Sequence, residues 1–289
     1  MRHGACIGGM ASGTSFVNRI FDTSSYILGG TDRELDRLIR QAALFSDFTA
    51  DVFRKAGIGR GMRVLDVGCG VGDVAMIAAE LVGPEGSVVA VDRSAAALDI
   101  ARARVERAGL AQIRFEEADL HDVVEQGFDA VIGRFILIHL ADPAAALRAL
   151  ARRLRPGGVL AFVEMDIGVA NAVPHTALFA RAIDLISTVY RQGGMKPDMG
   201  SRLFAEFRAA GLEPAITGGC RVEAGPESHA YEYLADSLRS FLPSMIEHGL
   251  TTEAELDVET LAARLRAESL AHDICFIFPL TVGAWARAG

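Results

Sequence analysis

Val64-Leu-Asp-Val-Gly-Cys-Gly-Val-Gly-Asp73 runs a short apolar, β-branched segment straight into a glycine-rich loop. A loop of this kind between a strand and a helix is the first turn of a nucleotide-binding α/β sheet, where the helix N-terminus and close backbone approach cradle the ligand. A dinucleotide fingerprint requires G-x-G-x-x-G, its third glycine letting the helix pack tightly beneath a pyrophosphate. Here the glycines are Gly68, Gly70 and Gly72, and Asp73 stands where that third glycine belongs. Asp66 adds negative charge beside the loop, which repels phosphate oxygens and suits the ammonium of an amino acid.

Outward from this loop the pattern alternates. Strand signals fall at 63–67, 87–92, 113–117, 128–133 and 159–164, with helical stretches at 71–82, 94–108 and 142–154. Alternation of this type implies right-handed crossovers and a parallel sheet covered on both faces. Upstream, Thr31-Asp-Arg-Glu34 has the form of a capping box, and Leu35, Leu38, Ile39, Ala42 and Phe45 recur at helical spacing, predicting a long helix to about Ala56. Downstream, a helical segment at 175–192 interrupts the alternation, which resumes with a helix at 201–210 and a strand at 213–222. A second insertion at 226–271 reads as wholly helical and carries Tyr231, Tyr233, Phe241 and Met245. The chain closes on one apolar strand from Ile274 through Trp285. The expected organisation is a tail and lid over 1–30, then a single domain over 31–289 with insertions near 167–197 and 224–271.

Of 289 residues, 51% are hydrophobic and 23% charged, the balance of a globular protein. A net charge of −8 argues against a protein whose affinity rests on nucleic-acid phosphates and favours small-molecule partners. Lysine occurs only at Lys55 and Lys196, which reads as the bias of a GC-rich genome. Cys6, Cys69, Cys220 and Cys275 show neither C-x-x-C nor zinc-like spacing, so no disulfide framework or metal site is expected, and a reducing cytoplasm fits best. No apolar run approaches the roughly 18 to 20 residues that span a bilayer. The first residues lack the apolar centre of a signal peptide, and Met10 offers a second start. Dimerisation through a sheet edge or the helical cap is compatible with the sequence.

The stretch Val64–Gly72 closely resembles the first motif of class I S-adenosylmethionine-dependent methyltransferases, and further motifs follow in order. Val89-Ala-Val-Asp92-Arg93-Ser resembles the second, Glu117-Ala-Asp119-Leu120 the third, and Phe128-Asp-Ala-Val-Ile-Gly133-Arg134 the fourth. Leu154-Arg-Pro156-Gly-Gly158 resembles the turn that opens the fifth strand. The resemblance covers roughly 60–165, and more loosely the whole chain, as a small-molecule enzyme of the ubiquinone/menaquinone type. It implies a Rossmann-like, doubly wound seven-stranded sheet with an antiparallel last strand, and a lid built from the N-terminal helix and the two insertions. It also implies the cofactor, S-adenosyl-L-methionine. Gly68, Gly70 and Gly72 would shape the loop, Asp66 favour the ammonium end, and Asp92, followed by Arg93, hold the ribose. Asp119 would receive the adenine amino group and Leu120 lie against the ring, while Gly133 would pass beside the methionine portion. Tyr26, which precedes the long helix, could fold over the methionine end as part of the lid or pack on the core as a staple.

Methyl transfer from a sulfonium is an in-line displacement, accelerated chiefly by alignment. A base is needed only when the acceptor is protonated. His139, just past the fourth strand, is the candidate base, or else caps the next helix. Glu164 and Asp166, at the end of a central strand, could orient a substrate or cap a helix. Arg134 could bind an anionic acceptor or pair with one of these acids. Tyr231, Tyr233, Phe241 and Met245 would line an apolar acceptor pocket or simply pack their helix, and Cys69 reads as a loop filler. The expected reaction is methyl transfer to an O, N or C atom of a small, partly apolar metabolite or natural-product precursor of bacterial secondary metabolism, releasing S-adenosylhomocysteine. Rival readings are a nicotinamide-dependent oxidoreductase and a non-catalytic S-adenosylmethionine-binding protein.

Overall fold

The computed structural model describes residues 31–289, with side chains from Ala42 onward. Tyr26 and Cys6 lie outside the described residues. Helix α1 (Thr31–Lys55) leads into β1 (Arg63–Val67), α2 (Asp73–Val82), β2 (Ser87–Asp92), α3 (Ala95–Ala108), β3 (Ile113–Glu117) and β4 (Phe128–Arg134). After a single 3-10 turn at Leu137–His139 come α4 (Pro143–Ala151) and the long β5 (Leu154–Asp166). The helix starts are encoded locally. The Ser94 side chain accepts the Ala97 N–H to cap α3, and Asp142 accepts the Ala145 N–H to cap α4, where Pro143 occupies the first turn.

The remainder comprises β6 (Asn171–Val173), α5 (Ala177–Gln192), α6 (Met199–Ala209), β7 (Ala215–Gly219), β8 (Val222–Ala224), α7 (Ala230–Glu247), α8 (Glu253–Leu256), α9 (Val258–His272), β9 (Cys275–Ile277) and β10 (Leu280–Arg287). The main sheet has seven strands in the order β3-β2-β1-β4-β5-β10-β7, with β10 antiparallel to both its neighbours. This is the expected doubly wound α/β architecture with its antiparallel last strand.

Two predicted strands each divide. The final apolar run breaks at Phe278-Pro279, and β9 pairs with β6 and β8 in a separate three-stranded sheet while β10 joins the main one. Pro279 offers no N–H to a ladder, so the chain changes sheets there. The run at 213–222 divides likewise into β7, at the edge of the main sheet, and β8.

Strand alternation decides what each face carries. On β1, Leu65 and Val67 face the core under α4, α6 and the cap, whereas Val64 faces the core under α1 and α2. Helix α1 crosses the sheet closely because Gly283 of β10 has no side chain, and a Cβ there would lie 2.3 Å from the Val52 methyl. No helix among the described residues is long and apolar enough to cross a membrane.

Candidate active site

The glycine loop leaves β1 with Gly68, Gly70 and Gly72 all at positive φ, 67°, 52° and 86°, where side-chain-bearing residues are strained. At Gly68 the constraint is also steric, since a Cβ would meet Ile136 Cδ1 at 2.5 Å, whereas one at Gly70 would meet only open space. Asp92, at the end of β2, accepts the Gly70 N–H at 2.8 Å and the Ser94 N–H at 2.9 Å. The acid expected to hold a ribose therefore also braces the loop, and an ionised carboxylate retains further acceptor sites. Above the loop lies a cavity of about 240 Å³ walled by Phe45 of α1, the loop, Asp73, Ile100 of α3, Arg134 and Phe135.

Asp66 and Arg134 lie on the same face of the sheet. Asp66 is in register with Ile132 of β4, and Arg134 follows Ile132 by two. Asp66 is fully buried, and neither of its carboxyl oxygens is in a close hydrogen bond. Burial drives its pKa well above the usual carboxylate range, while Arg134 opposes the shift. The Arg134 guanidinium reaches Thr49 Oγ1 at 3.3 Å and Asp73 at 3.9 Å. Arg104 binds that same Asp73 at 2.6 Å and the Val71 carbonyl at 2.7 Å. The sequence allowed Arg134 a partner in Glu164 or Asp166, but those even-numbered residues of β5 point to the opposite face, and Asp73 takes that place. Burial and the nearby Asp66 carboxylate raise the Cys69 thiol far above its ordinary pKa, consistent with a loop filler.

The exit from β4 is strained. Phe135 has φ 55°, rare for a bulky residue, and its ring stands edge-on to Phe45 at 5.0 Å. Glu164 secures this turn from the other face. One oxygen accepts the Ile136 N–H at 2.9 Å and the Leu137 N–H at 2.7 Å, and the other has no partner. Burial raises its pKa to about 8, against the backbone hydrogen bonds that favour the charge. Glu164 is thus sealed inside the protein, tied to backbone amides rather than placed on a cavity wall. His139 is also displaced from the expected role. Its Nδ1 lies 3.1 Å from Met195 Sδ, and burial, then the Arg93 charge, lowers its pKa to about 4. A base working near neutrality is not what these surroundings provide.

Asp119 accepts the His121 N–H at 2.9 Å and lies 3.8 Å from Arg93 Nε, with Leu120 partly buried beside it. Gly133 packs so tightly that a Cβ would reach the Phe162 ring at 2.7 Å. A second cavity, about 410 Å³, opens beneath the cap between Leu44 of α1 and the start of α7, with Tyr231, Tyr233, His229 and Arg266 in its wall. Phe241 and Met245 instead pack in the core, Phe241 edge-on to Tyr190. Phe45, in the wall of the first cavity, stands 6.1 Å from Tyr233 in the wall of the second. Sequence reading missed His229, whose Nδ1 lies 3.0 Å from Glu223. The pair joins β8 to the start of α7, and no spacing motif announces it. Among the described residues no group of three or more His, Cys, Asp or Glu side chains is placed to hold a metal ion.

A glycine loop without the pyrophosphate glycine, braced by a strand-end acid and underlain by a buried carboxyl, forms the first turn of a doubly wound sheet. The donor set suits a ligand with an ammonium and no phosphate. A family model described as a methyltransferase domain matches residues 58–192. The ubiquinone/menaquinone biosynthesis C-methyltransferase of Pseudomonas putida strain F1 is 30% identical over 217 residues, covering 74% of this chain and 71% of that protein. The corresponding enzyme of Cellvibrio japonicus is 33% identical over 147 residues, 50% of this chain and only 55% of the relative's length. In fold, the chain is similar to the YcgJ protein of Bacillus subtilis, with a TM-score of 0.55 at 17% identity over 84% of this chain and 99% of that one. The chain belongs to the class I S-adenosylmethionine-dependent methyltransferases, and its cofactor is S-adenosylmethionine.

Proposed function

We propose that this protein methylates a small, partly apolar acceptor held in the cap cavity, drawing the methyl from a donor seated over the glycine loop. The observation that carries this reading is a cavity under the cap walled by Leu44, Tyr231 and Tyr233 together with polar and charged side chains, its Tyr233 standing 6.1 Å from Phe45 in the wall of the cavity over the glycine loop. When bound, S-adenosylmethionine supplies an electrophilic methyl on a sulfonium. In this reading Gly68, Gly70 and Gly72 admit the donor, Asp66 attracts its ammonium, Asp92 with Arg93 takes the ribose, and Asp119 with Leu120 takes the adenine. Gly133 keeps the β4 end free of a side chain beside the methionine portion. Glu164 acts through the backbone, holding the turn that presents Phe135. His229, oriented by Glu223, offers a proton acceptor for an oxygen or nitrogen nucleophile, whereas the named Pseudomonas relative methylates carbon. The free thiols Cys69, Cys220 and Cys275 suit a reducing cytoplasm.

Calorimetric titration with S-adenosylmethionine, S-adenosylhomocysteine and NADH, followed by label transfer to phenolic, amine and quinol acceptors, tests this reading. Binding of both adenosyl ligands, label transfer to at least one acceptor class, and a Tyr233→Ala variant with raised acceptor KM but unchanged donor affinity are expected. NADH binding with adenosyl ligands silent would overturn it.

A further inference from the structure

Buried guanidinium groups normally satisfy their fork of N–H donors, because an unmet donor inside a protein costs free energy. Arg134 does not. Its side chain is only 8% exposed, yet among the described residues it makes one hydrogen bond, to Thr49 Oγ1 at 3.3 Å, and its nearest carboxylate stands 3.9 Å away. That carboxylate, Asp73, is already engaged by Arg104 at 2.6 Å. Arg134 lines the cavity over the glycine loop. On the same sheet face, two residues before the loop, Asp66 is buried with neither carboxyl oxygen in a close hydrogen bond, only the Ala75 backbone and the Arg134 charge favouring its ionised form. An under-satisfied guanidinium on the cavity wall, with a buried acid behind it on the same sheet face, complements a ligand that carries both a carboxylate and an ammonium.

We infer that Arg134 is the carboxylate clamp of the donor site, taking the methionine carboxylate of S-adenosylmethionine while Asp66 faces its ammonium. The inference rests on the donor-site reading above and moves Arg134 from the acceptor to the donor. Planar, bidentate recognition of a carboxylate is what a guanidinium does best, and an ammonium replaces it poorly. Strain at Phe135 then has a use, because the turn that begins there fixes the strand end from which Arg134 projects.

The test compares S-adenosylmethionine with its decarboxylated analogue, which keeps sulfonium, adenosine and ammonium and lacks only the carboxylate. Affinities of both are measured by calorimetry for the full-length protein and for Arg134→Met and Arg134→Lys. The unaltered protein should prefer the carboxylate-bearing ligand by roughly 10- to 100-fold, the span of a charge-assisted hydrogen-bond pair. In Arg134→Met that preference should collapse to within about threefold, with affinity for the decarboxylated ligand little changed. Arg134→Lys, which keeps the charge for Asp66 and Asp73, should retain an intermediate preference, and it serves alone if the methionine variant fails to fold. A preference that survives in the variants, or an equal loss of both ligands, would overturn the clamp, as would an unaltered protein that binds both ligands equally. If the unaltered protein bound neither ligand, the donor-site reading itself would fall.

Discussion

Glu164→Gln isolates the energetics of the turn after β4. The glutamine retains an oxygen to accept the Ile136 and Leu137 amides and removes the ionisable group. In the native protein burial holds the Glu164 carboxyl at a pKa of about 8, against an ordinary 4.5. Between those values the folded state binds a proton that the unfolded state has released, so wild-type stability falls as pH rises. The contribution is fully present below pH 4.5, is lost progressively towards pH 8, and is constant above it. At 1.36 kcal/mol per unit, the wild type should lose about 2.5 kcal/mol relative to the glutamine variant between pH 5.5 and 7.5. Other titrations cancel in the difference between the two proteins. Urea unfolding of both at pH 5.5, 6.5 and 7.5, followed by circular dichroism, measures it. A difference that stays constant within about 0.5 kcal/mol would show that the carboxyl is ionised in the native state, and the argument from its burial would fail.

His139 works in the opposite direction. With its pKa lowered to about 4 from 6.5, its contribution is present above pH 6.5 and is lost as pH falls towards 4. His139→Gln should therefore lessen acid destabilisation by about 2 kcal/mol between pH 7 and 4.5, and parallel acid unfolding curves for the two proteins would contradict this. Gly68→Ala should cost about 2 to 4 kcal/mol in urea unfolding, from backbone strain at φ 67° plus the collision with Ile136. Ile136→Ala in that background should relieve the steric share alone, and a loss below about 0.5 kcal/mol for Gly68→Ala would refute the reasoning.

Much of the core architecture was legible in local pattern. The strands at 63–67, 87–92 and 113–117 begin and end where predicted, because β-branched runs bounded by turn residues carry their own boundaries. The glycine loop was legible too, since positive φ confines these positions largely to glycine and leaves a mark in the residue type. The strand at 128–133 extends only to Arg134, but the one at 159–164 runs back to Leu154 and on to Asp166, where pairing with β4 and β10 continues the ladder.

By itself, then, the sequence determined the alternation of strands and helices, the donor loop and the family, since each is written in residues close together along the chain. Only the tertiary structure decided the rest. Pro279 splits the last strand because two different sheets compete for its halves, and no local signal says which edges will be free. Arg134 finds Asp73 rather than Glu164 because sheet faces, not sequence distance, bring side chains together. Glu164 and His139 change character through burial, which depends on what packs over them from remote segments. The cavity that has His229 in its wall exists only because α1 and α7, nearly two hundred residues apart in the chain, close over one another.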